Sequence, residues 1–177
     1  METQNFKISN TESQVNWIGK KITGQHNGTI NIEEGNFTFS NDELTGGNVV
    51  IDTTSIVILD VTDPATNQQF AGHLASDDFF SIDKFKTASL DIKTVSKQAE
   101  SAYFIEGNLT IKAITHPIGF TLEVKRNESD LKASGKISID RTKYDMKFRS
   151  GNFFTNLGDT LIYNEFELDV NLTAKLA

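Results

Sequence analysis

The chain has 177 residues, a formal net charge of -7 and no cysteine. This length suits one domain, residues 1–177, which can bury a core without covalent cross-links. The missing cysteine excludes disulfides, thiolate metal sites and cysteine nucleophiles. The negative charge argues against nucleic acid as a partner, because it repels phosphate. No apolar run approaches the roughly 18 residues that a membrane-spanning helix needs, so no membrane span is predicted.

Apolar and polar residues alternate along most of the chain, and this pattern is typical of strands with one buried face. Short strands are predicted near residues 6–9 and 15–19. Two further strand segments are predicted on either side of a break at residues 33–35, and a turn is predicted at Gly46-Gly47. The paired apolar positions that mark the next strands are Val49 and Ile51, Leu90 and Ile92, Tyr103 and Ile105, Leu109 and Ile111, and Ile137 and Ile139.

Residues 64–77 interrupt this alternation and predict a short helical segment. Asp63 suits the N-cap position, and Pro64 suits the first helical position. Phe70 and Leu74 are four residues apart and share a face. We expect this face to pack over one end of the structure that the strands form, with His73 bound to a local acceptor such as Asp77.

Turn signals and a long terminal strand complete the pattern. Turns are predicted at residues 127–130 and 156–159. After Pro117 the alternation resumes through Phe120, Leu122 and Val124. At the C-terminus six apolar residues occupy alternate positions, which places them all on one side of a strand: Phe166, Leu168, Val170, Leu172, Ala174 and Leu176. Many short strands joined by turns indicate a β-sandwich or a β-barrel.

The residues that usually perform catalysis form no recognisable pattern. His26, His73 and His116 are far apart, and no pair has the spacing of a common metal motif. There is no nucleophile elbow, phosphate loop or dinucleotide fingerprint. Carboxylate pairs such as Glu33-Glu34 are explained by solvated turns. The sequence therefore predicts no catalytic residue, no metal and no cofactor, and the protein is predicted not to be an enzyme.

The aromatic residues allow two interpretations. Phe79-Phe80, Phe148 and Phe153-Phe154 lie in or near connecting segments. They either plug the barrel ends as ordinary core or line the mouth of an internal ligand cavity.

Several blocks resemble the YceI-like proteins. Residues 72–80 are similar to that family's His-Leu-x-Ser-x-Asp-Phe-Phe block. Residues 107–111, with Thr115 and Pro117, are similar to its Gly-x-Leu-Thr-Ile-x-x-x-Thr-x-Pro. Asp140-Arg141 also fits the family pattern. The chain departs from it at residues 85–87, where the family often has Tyr-Pro-Thr, and at residues 143–145, where many members have a Phe-Gly pair.

The resemblance implies an extended antiparallel eight-stranded lipocalin-like β-barrel that binds an apolar, lipid-like small molecule. The ligand would be a polyisoprenoid, an isoprenoid quinone or a fatty-acid amide. The resemblance also implies a homodimer, and a periplasmic location if a signal was removed. The N-terminal residues have no signal-peptide pattern, so a native start at Met1 would imply the cytoplasm.

Strand phase and the resemblance together give candidate ligand-binding residues. The inward phase of the strands supplies Trp17, Phe37, Phe39, Ile51, Ile105, Leu109, Phe120, Leu122, Phe166 and Leu168. The helix and the loop after it supply candidates for the mouth, which are Phe70, Leu74, Phe79 and Phe80. Two alternatives stay open: a stress-response or interaction barrel with a solid core, and an enzyme. A carrier requires a continuous apolar tunnel, whereas a solid barrel requires aromatic residues interlocked across it.

Overall fold

The computed structural model describes residues 3–22, 24–148 and 162–177, which form one antiparallel sheet and one α-helix. The helix, α1, spans Pro64–Ala75, and a 3-10 turn spans Arg141–Tyr144. No helix in these ranges is long and apolar enough to cross a bilayer. The strands, in chain order, are β1 (Thr3–Ile8), β2 (Gln14–Lys21), β3 (Gly24–Ser40), β4 (Glu43–Ile58), β5 (Thr87–Lys97), β6 (Ala102–Ile111), β7 (Ile114–Arg126), β8 (Asp130–Asp140) and β9 (Ile162–Leu176).

The sheet closes on itself. Strands β2 and β4 to β9 follow one another around the wall, and β3 pairs with both β2 and β4. Strands β1 and β2 share one position in this wall. Strand β3 pairs with β2 through residues 24–30 and with β1 through residues 36–40, and β9 pairs with both strands in the same way. The nine strands therefore occupy eight positions, which confirms the predicted eight-stranded antiparallel barrel.

The turn predicted at Gly46-Gly47 is wrong. The hairpin between β3 and β4 turns instead at Asn41 and Asp42, whose φ angles are 51° and 66°. Positive φ at both central residues is the geometry of a tight two-residue hairpin. Gly46 and Gly47 lie inside β4 and pair with β3. A side chain at Gly47 would meet the Asn36 carbonyl oxygen, so glycine serves a close approach of two strands there.

The break predicted at residues 33–35 is also wrong, because β3 is continuous from Gly24 to Ser40. Its register against β4 shifts between Ile32 and Glu34. Ile32 and Phe37 are both buried although they are an odd number of residues apart. In a regular strand, residues an odd number of positions apart face opposite sides, so one of these two would face outward. The bulge adds one residue to β3 and thereby lets both face inward.

Aromatic side chains fill the end of the barrel at which β1 lies. The rings of Phe6 and Phe39 meet edge to face, with centroids 5.4 Å apart. The Arg126 guanidinium covers both rings, 5.3 Å and 5.0 Å from their centroids. Phe37 is also fully buried. We call this the closed end. Leu176, predicted to face inward, is an exception: it is 41% exposed because β9 ends there.

Helix α1 begins as its sequence predicts and lies at the opposite end. The Asp63 carboxylate accepts a hydrogen bond from the Thr66 backbone N–H at 3.0 Å, and Pro64 is the first helical residue. The Asn67 amide donates to the carbonyls of Ile58 and Val61, both at 3.0 Å. These bonds attach α1 to the last residues of β4 and the loop after it. The predicted helix is confirmed, although it ends at Ala75.

Gly28 gives a direct test of the wall packing. A methyl group there would overlap the Val57 carbonyl oxygen and lie 2.6 Å from the Trp17 ring. Because neighbouring backbone has to move, we expect Gly28→Ala to lower the free energy of unfolding by about 3 kcal/mol or more. The matched control is Gly72→Ala at an exposed position of α1, where the added methyl meets no atom within 4 Å apart from its chain neighbours and the helix backbone. It should raise stability by up to about 1 kcal/mol. Urea unfolding measures both, and equal effects would contradict the packing described.

Candidate ligand cavity

The barrel interior is not filled at its helix end. A cavity of about 180 Å³, which we call the outer cavity, lies below α1. For comparison, an apolar cavity of about 150 Å³ is known to stay dry and to bind benzene or xenon. Nine of the predicted ligand-binding residues line it: Trp17, Ile51, Phe70, Leu74, Phe79, Phe80, Leu109, Phe166 and Leu168.

A second cavity of about 80 Å³, the inner cavity, lies toward the closed end. Phe37, Phe120 and Leu122 line it, and all three were predicted ligand-binding residues. The two cavities adjoin, because five residues line both of them: Val15, Ile51, Leu109, Ile139 and Leu168. We call these five residues the waist.

Two of the predicted residues, Phe39 and Ile105, line neither cavity. Phe39 packs against Phe6 and Arg126 at the closed end. Ile105 has no exposed surface and is paired with Phe120 across β6 and β7. Both face inward as predicted, but they belong to the solid part of the core. Strand phase shows which way a side chain points and does not show how deep it lies along the barrel.

Aromatic residues beside α1 form one side of the cavity wall. The His73 ring meets Phe79 and Phe148 edge to face, with centroids 5.0 Å and 4.6 Å apart. The ring of Phe80 faces Phe166 at 6.4 Å. Of the two interpretations of these aromatics, a cavity wall is the one that fits Phe79 and Phe80. Phe153-Phe154 and the turn predicted at residues 156–159 lie outside the described residues.

The partner of His73 differs from the predicted one. His73 Nε2 lies 3.0 Å from the carboxylate of Asp78, not Asp77. The prediction assumed a helix through residue 77, but α1 ends at Ala75, so Asp77 does not lie one turn further on. The Asp77 carboxylate instead accepts a hydrogen bond from the Ser81 hydroxyl, which lowers its pKa. His73 therefore has a local acceptor, as predicted, supplied by the next residue.

His26 and Asp60 connect the beginning of β3 to the loop after β4. His26 Nδ1 lies 2.8 Å from one Asp60 carboxylate oxygen, and the Asn27 backbone N–H donates to the other at 3.1 Å. The His26 ring also meets Phe70 of α1 at 4.7 Å. Burial raises the pKa of Asp60, but the bonds from Asn27 and His26 outweigh it, so this pKa lies below its ordinary value.

Arg141 is the one fully buried cation in the outer cavity wall as described, and it is only 3% exposed. Its Nε, Nη1 and Nη2 atoms donate to the backbone carbonyls of Tyr163, Met146 and Ile162. Burial lowers the pKa of Arg141 to about 10, and nearby Asp140 opposes this shift. Sequence analysis noted Arg141 only within the Asp140-Arg141 match, because nothing local shows that this side chain turns into the barrel.

The wall suits hydrocarbon better than a polar reactant. Most side chains around both cavities are aliphatic or aromatic. Within the described residues, no group of three or more His, Asp or Glu side chains is arranged to hold a metal ion. Such a surface binds by excluding water from apolar groups rather than by directed polar contacts.

A closed antiparallel barrel with an apolar cavity beneath one helix defines a lipocalin-like barrel. Residues 6–174 match the YceI-like domain, so the chain belongs to the YceI-like family. The UPF0312 protein YE1254 of Yersinia enterocolitica is 37% identical over 100 residues, which are 55% of this chain and 47% of that protein. The chain thus spans about half the length of this curated relative.

Two solved structures share the fold. BcnA of Burkholderia cenocepacia superposes with a TM-score of 0.76 at 17% identity, over 94% of this chain and 99% of BcnA. A polyisoprenoid-binding domain of Saccharophagus degradans superposes with a TM-score of 0.69 at 13% identity, over 97% of this chain and 98% of that domain. The fold is therefore common to proteins of very different sequence.

The contribution of Asp60 to the cavity mouth should depend on pH. Because its pKa is lower in the folded protein than the unfolded value near 3.8, the carboxylate stabilises the fold above about pH 4, and this contribution is lost as the pH falls through the folded pKa. We expect Asp60→Asn to lower the free energy of unfolding by about 1 kcal/mol at pH 7 and by less at pH 3. Urea unfolding at both pH values measures this difference.

The control for this experiment is Glu128→Gln in the exposed turn before β8, which should change stability little at either pH. A loss on Asp60→Asn that is equally large at pH 3 and pH 7 would contradict a role for the ionised carboxylate.

Proposed function

We propose that the protein binds one long apolar molecule along the outer and inner cavities and carries or stores it. The observation that supports this most strongly is the waist, since five residues line both cavities. A slender chain that passes the waist would occupy both spaces at once. A polyisoprenoid, the tail of an isoprenoid quinone or the chain of a fatty-acid amide has this shape.

Apolar contact alone supplies enough energy for such binding. Each buried CH₂-sized group contributes roughly 0.8 kcal/mol, so a five-carbon unit contributes about 3–4 kcal/mol before the costs of association. Those costs are on the order of 4–15 kcal/mol. A ligand of several units can exceed them without any ion pair. An apolar wall with few polar groups is therefore compatible with tight binding.

The similar structures support the same class of ligand. The Saccharophagus degradans domain is described as polyisoprenoid-binding and shares this fold over 97% of the chain. A solid-core barrel would need the interior closed along its whole length. The interlocked rings of Phe6 and Phe39 and the buried Phe37 do close it at one end, but two adjoining cavities remain between that end and α1. The periplasmic location and the homodimer stay predictions, which cell fractionation and light scattering test.

Native mass spectrometry tests the proposal. The protein is purified without added lipid and then incubated with a farnesol to octaprenol series. We expect one ligand per chain, and organic extraction of the purified protein should release an apolar molecule. A chain that carries no ligand after purification and binds none of the series would favour the solid-core barrel.

The length of the ligand tail gives a sharper prediction. Leu122 is buried and lines only the inner cavity, so Leu122→Trp should fill that cavity and leave the outer one open. We expect the variant to keep its affinity for a short tail such as that of geraniol and to lose tenfold or more for the long members of the series. Competition with a fluorescent isoprenoid measures both affinities.

The matched control is Thr121→Trp, at the neighbouring position on β7, which is exposed and faces outward. It should leave the dependence on tail length unchanged. If a folded Leu122→Trp variant binds long and short tails as the wild type does, the tail does not enter the inner cavity.

A further inference from the structure

We propose that Arg141 makes the outer cavity selective for apolar ligands with an anionic head group, a carboxylate or a phosphate. The proposal rests on the proposed function and narrows it to a chemical class of ligand. In this arrangement the head group lies beside Arg141 at the helix end, and the tail passes the waist toward the inner cavity.

The burial of Arg141 is the first observation. Its side chain is 3% exposed and lies in a wall that is otherwise mainly aliphatic and aromatic. Removing a cation from water costs several kcal/mol unless an anion or enough hydrogen bonds compensate. A cation in a hydrocarbon-like wall therefore needs a compensating group.

The protein provides only part of that compensation. Three backbone carbonyls accept from the guanidinium, those of Tyr163 at 2.9 Å, Met146 at 2.5 Å and Ile162 at 3.1 Å. A guanidinium has five N–H groups, and carbonyls carry no formal charge. Within the described residues no carboxylate lies within 4 Å of it.

Two other cations with limited exposure are different: Lys112 is 8% exposed, and the Arg126 side chain is 21% exposed. Lys112 Nζ lies 3.9 Å from an Asp145 carboxylate oxygen, and Arg126 Nη2 lies 3.3 Å from an Asp42 carboxylate oxygen. Both cations thus have an anionic partner within 4 Å, whereas the part of the chain that the structure describes places no carboxylate that close to Arg141.

The acidic residue next to Arg141 is already engaged. The Asp140 carboxylate accepts hydrogen bonds from the backbone N–H of Thr142 at 3.0 Å and from its hydroxyl at 2.6 Å. It caps the 3-10 turn that begins at Arg141. Elsewhere in the outer wall, Lys20 pairs with Glu167 and His26 pairs with Asp60. These carboxylates are bound to other groups, so a ligand can supply the negative charge that balances Arg141.

An anionic head group would complete this site. Hydrogen bonds between ionised partners are roughly twice as strong as neutral ones, and they strengthen where water is excluded. The Phe79 ring, 5.9 Å from the guanidinium carbon, covers one side of Arg141. A carboxylate or phosphate there would gain a charge-assisted bond that the matching alcohol cannot form.

The test compares ligands that differ only in the head group. Oleic acid is compared with oleyl alcohol, and farnesyl phosphate with farnesol, by competition with a fluorescent isoprenoid at pH 8. We expect the wild type to bind each acid at least tenfold more tightly than its alcohol. Oleic acid and farnesyl phosphate then separate a carboxylate ligand from a phosphate ligand, because the head group that fits better shows the larger preference.

Two sets of variants test whether Arg141 causes the preference for the acid over the alcohol. Arg141→Gln keeps hydrogen-bond donors and removes the charge, so it should bind acid and alcohol within about twofold of each other. Ile162 lines the outer cavity, and its carbonyl is bound by Arg141. Ile162→Glu should supply the anion internally and abolish the preference with Arg141 in place. In Ile162→Gln, the uncharged match, absolute affinities fall but the preference for the acid remains.

Circular dichroism establishes first that each variant is folded. If Arg141→Gln does not fold, Ile162→Glu tests the same claim with Arg141 in place. Equal wild-type affinity for acid and alcohol would overturn the proposal while leaving apolar binding intact. A preference for the acid that survives in a folded Arg141→Gln or Ile162→Glu variant would also overturn it. Failure of all four ligands to bind would instead refute the proposed function.

Discussion

The pairing of β3 with β4 closes the sheet, and the interior of the protein depends on that closure. Closing eight strand positions fixes the width of a barrel, and the side chains that point inward must fill it. At the closed end, the rings of Phe6, Phe37 and Phe39 are large enough to do so. Around the waist the inward residues are aliphatic, and space remains between them. The size of the inward side chains thus accounts for the solid closed end and for the space at the waist.

The two ends of the barrel are covered in different ways. The closed end combines two rings that meet edge to face with the Arg126 guanidinium, which is attracted to aromatic faces and covers them. The other end is covered by α1, which contributes Phe70 and Leu74 to the cavity wall. A helix and its following loop can separate from a barrel at less cost than paired strands can, because fewer backbone hydrogen bonds cross between them. Ligand exchange is therefore expected at the helix end.

Local patterns in the sequence predicted most of the fold. Alternation identified the strands, and Asp63 with Pro64 identified the start of α1, because these signals depend on neighbouring residues. The bulge near Glu34 and the glycines of β4 were misread, because they act through pairing with a distant strand. The depth of Phe39 and Ile105 depends on register around the whole barrel, so strand phase alone could not show that they lie away from both cavities. The burial of Arg141 depends equally on distant carbonyls.

Methyl NMR tests most directly whether one ligand fills the barrel. With labelled Ile, Leu and Val methyl groups, a long isoprenoid alcohol is titrated into the protein. The waist residues Leu109, Ile139 and Leu168 and the inner residue Leu122 should shift together and show contacts to the ligand, because one chain passes all of them. Ile105, which lines neither cavity, should show no contact. Shifts confined to exposed residues such as Leu59 and Leu176, with the waist unchanged, would contradict an internal ligand.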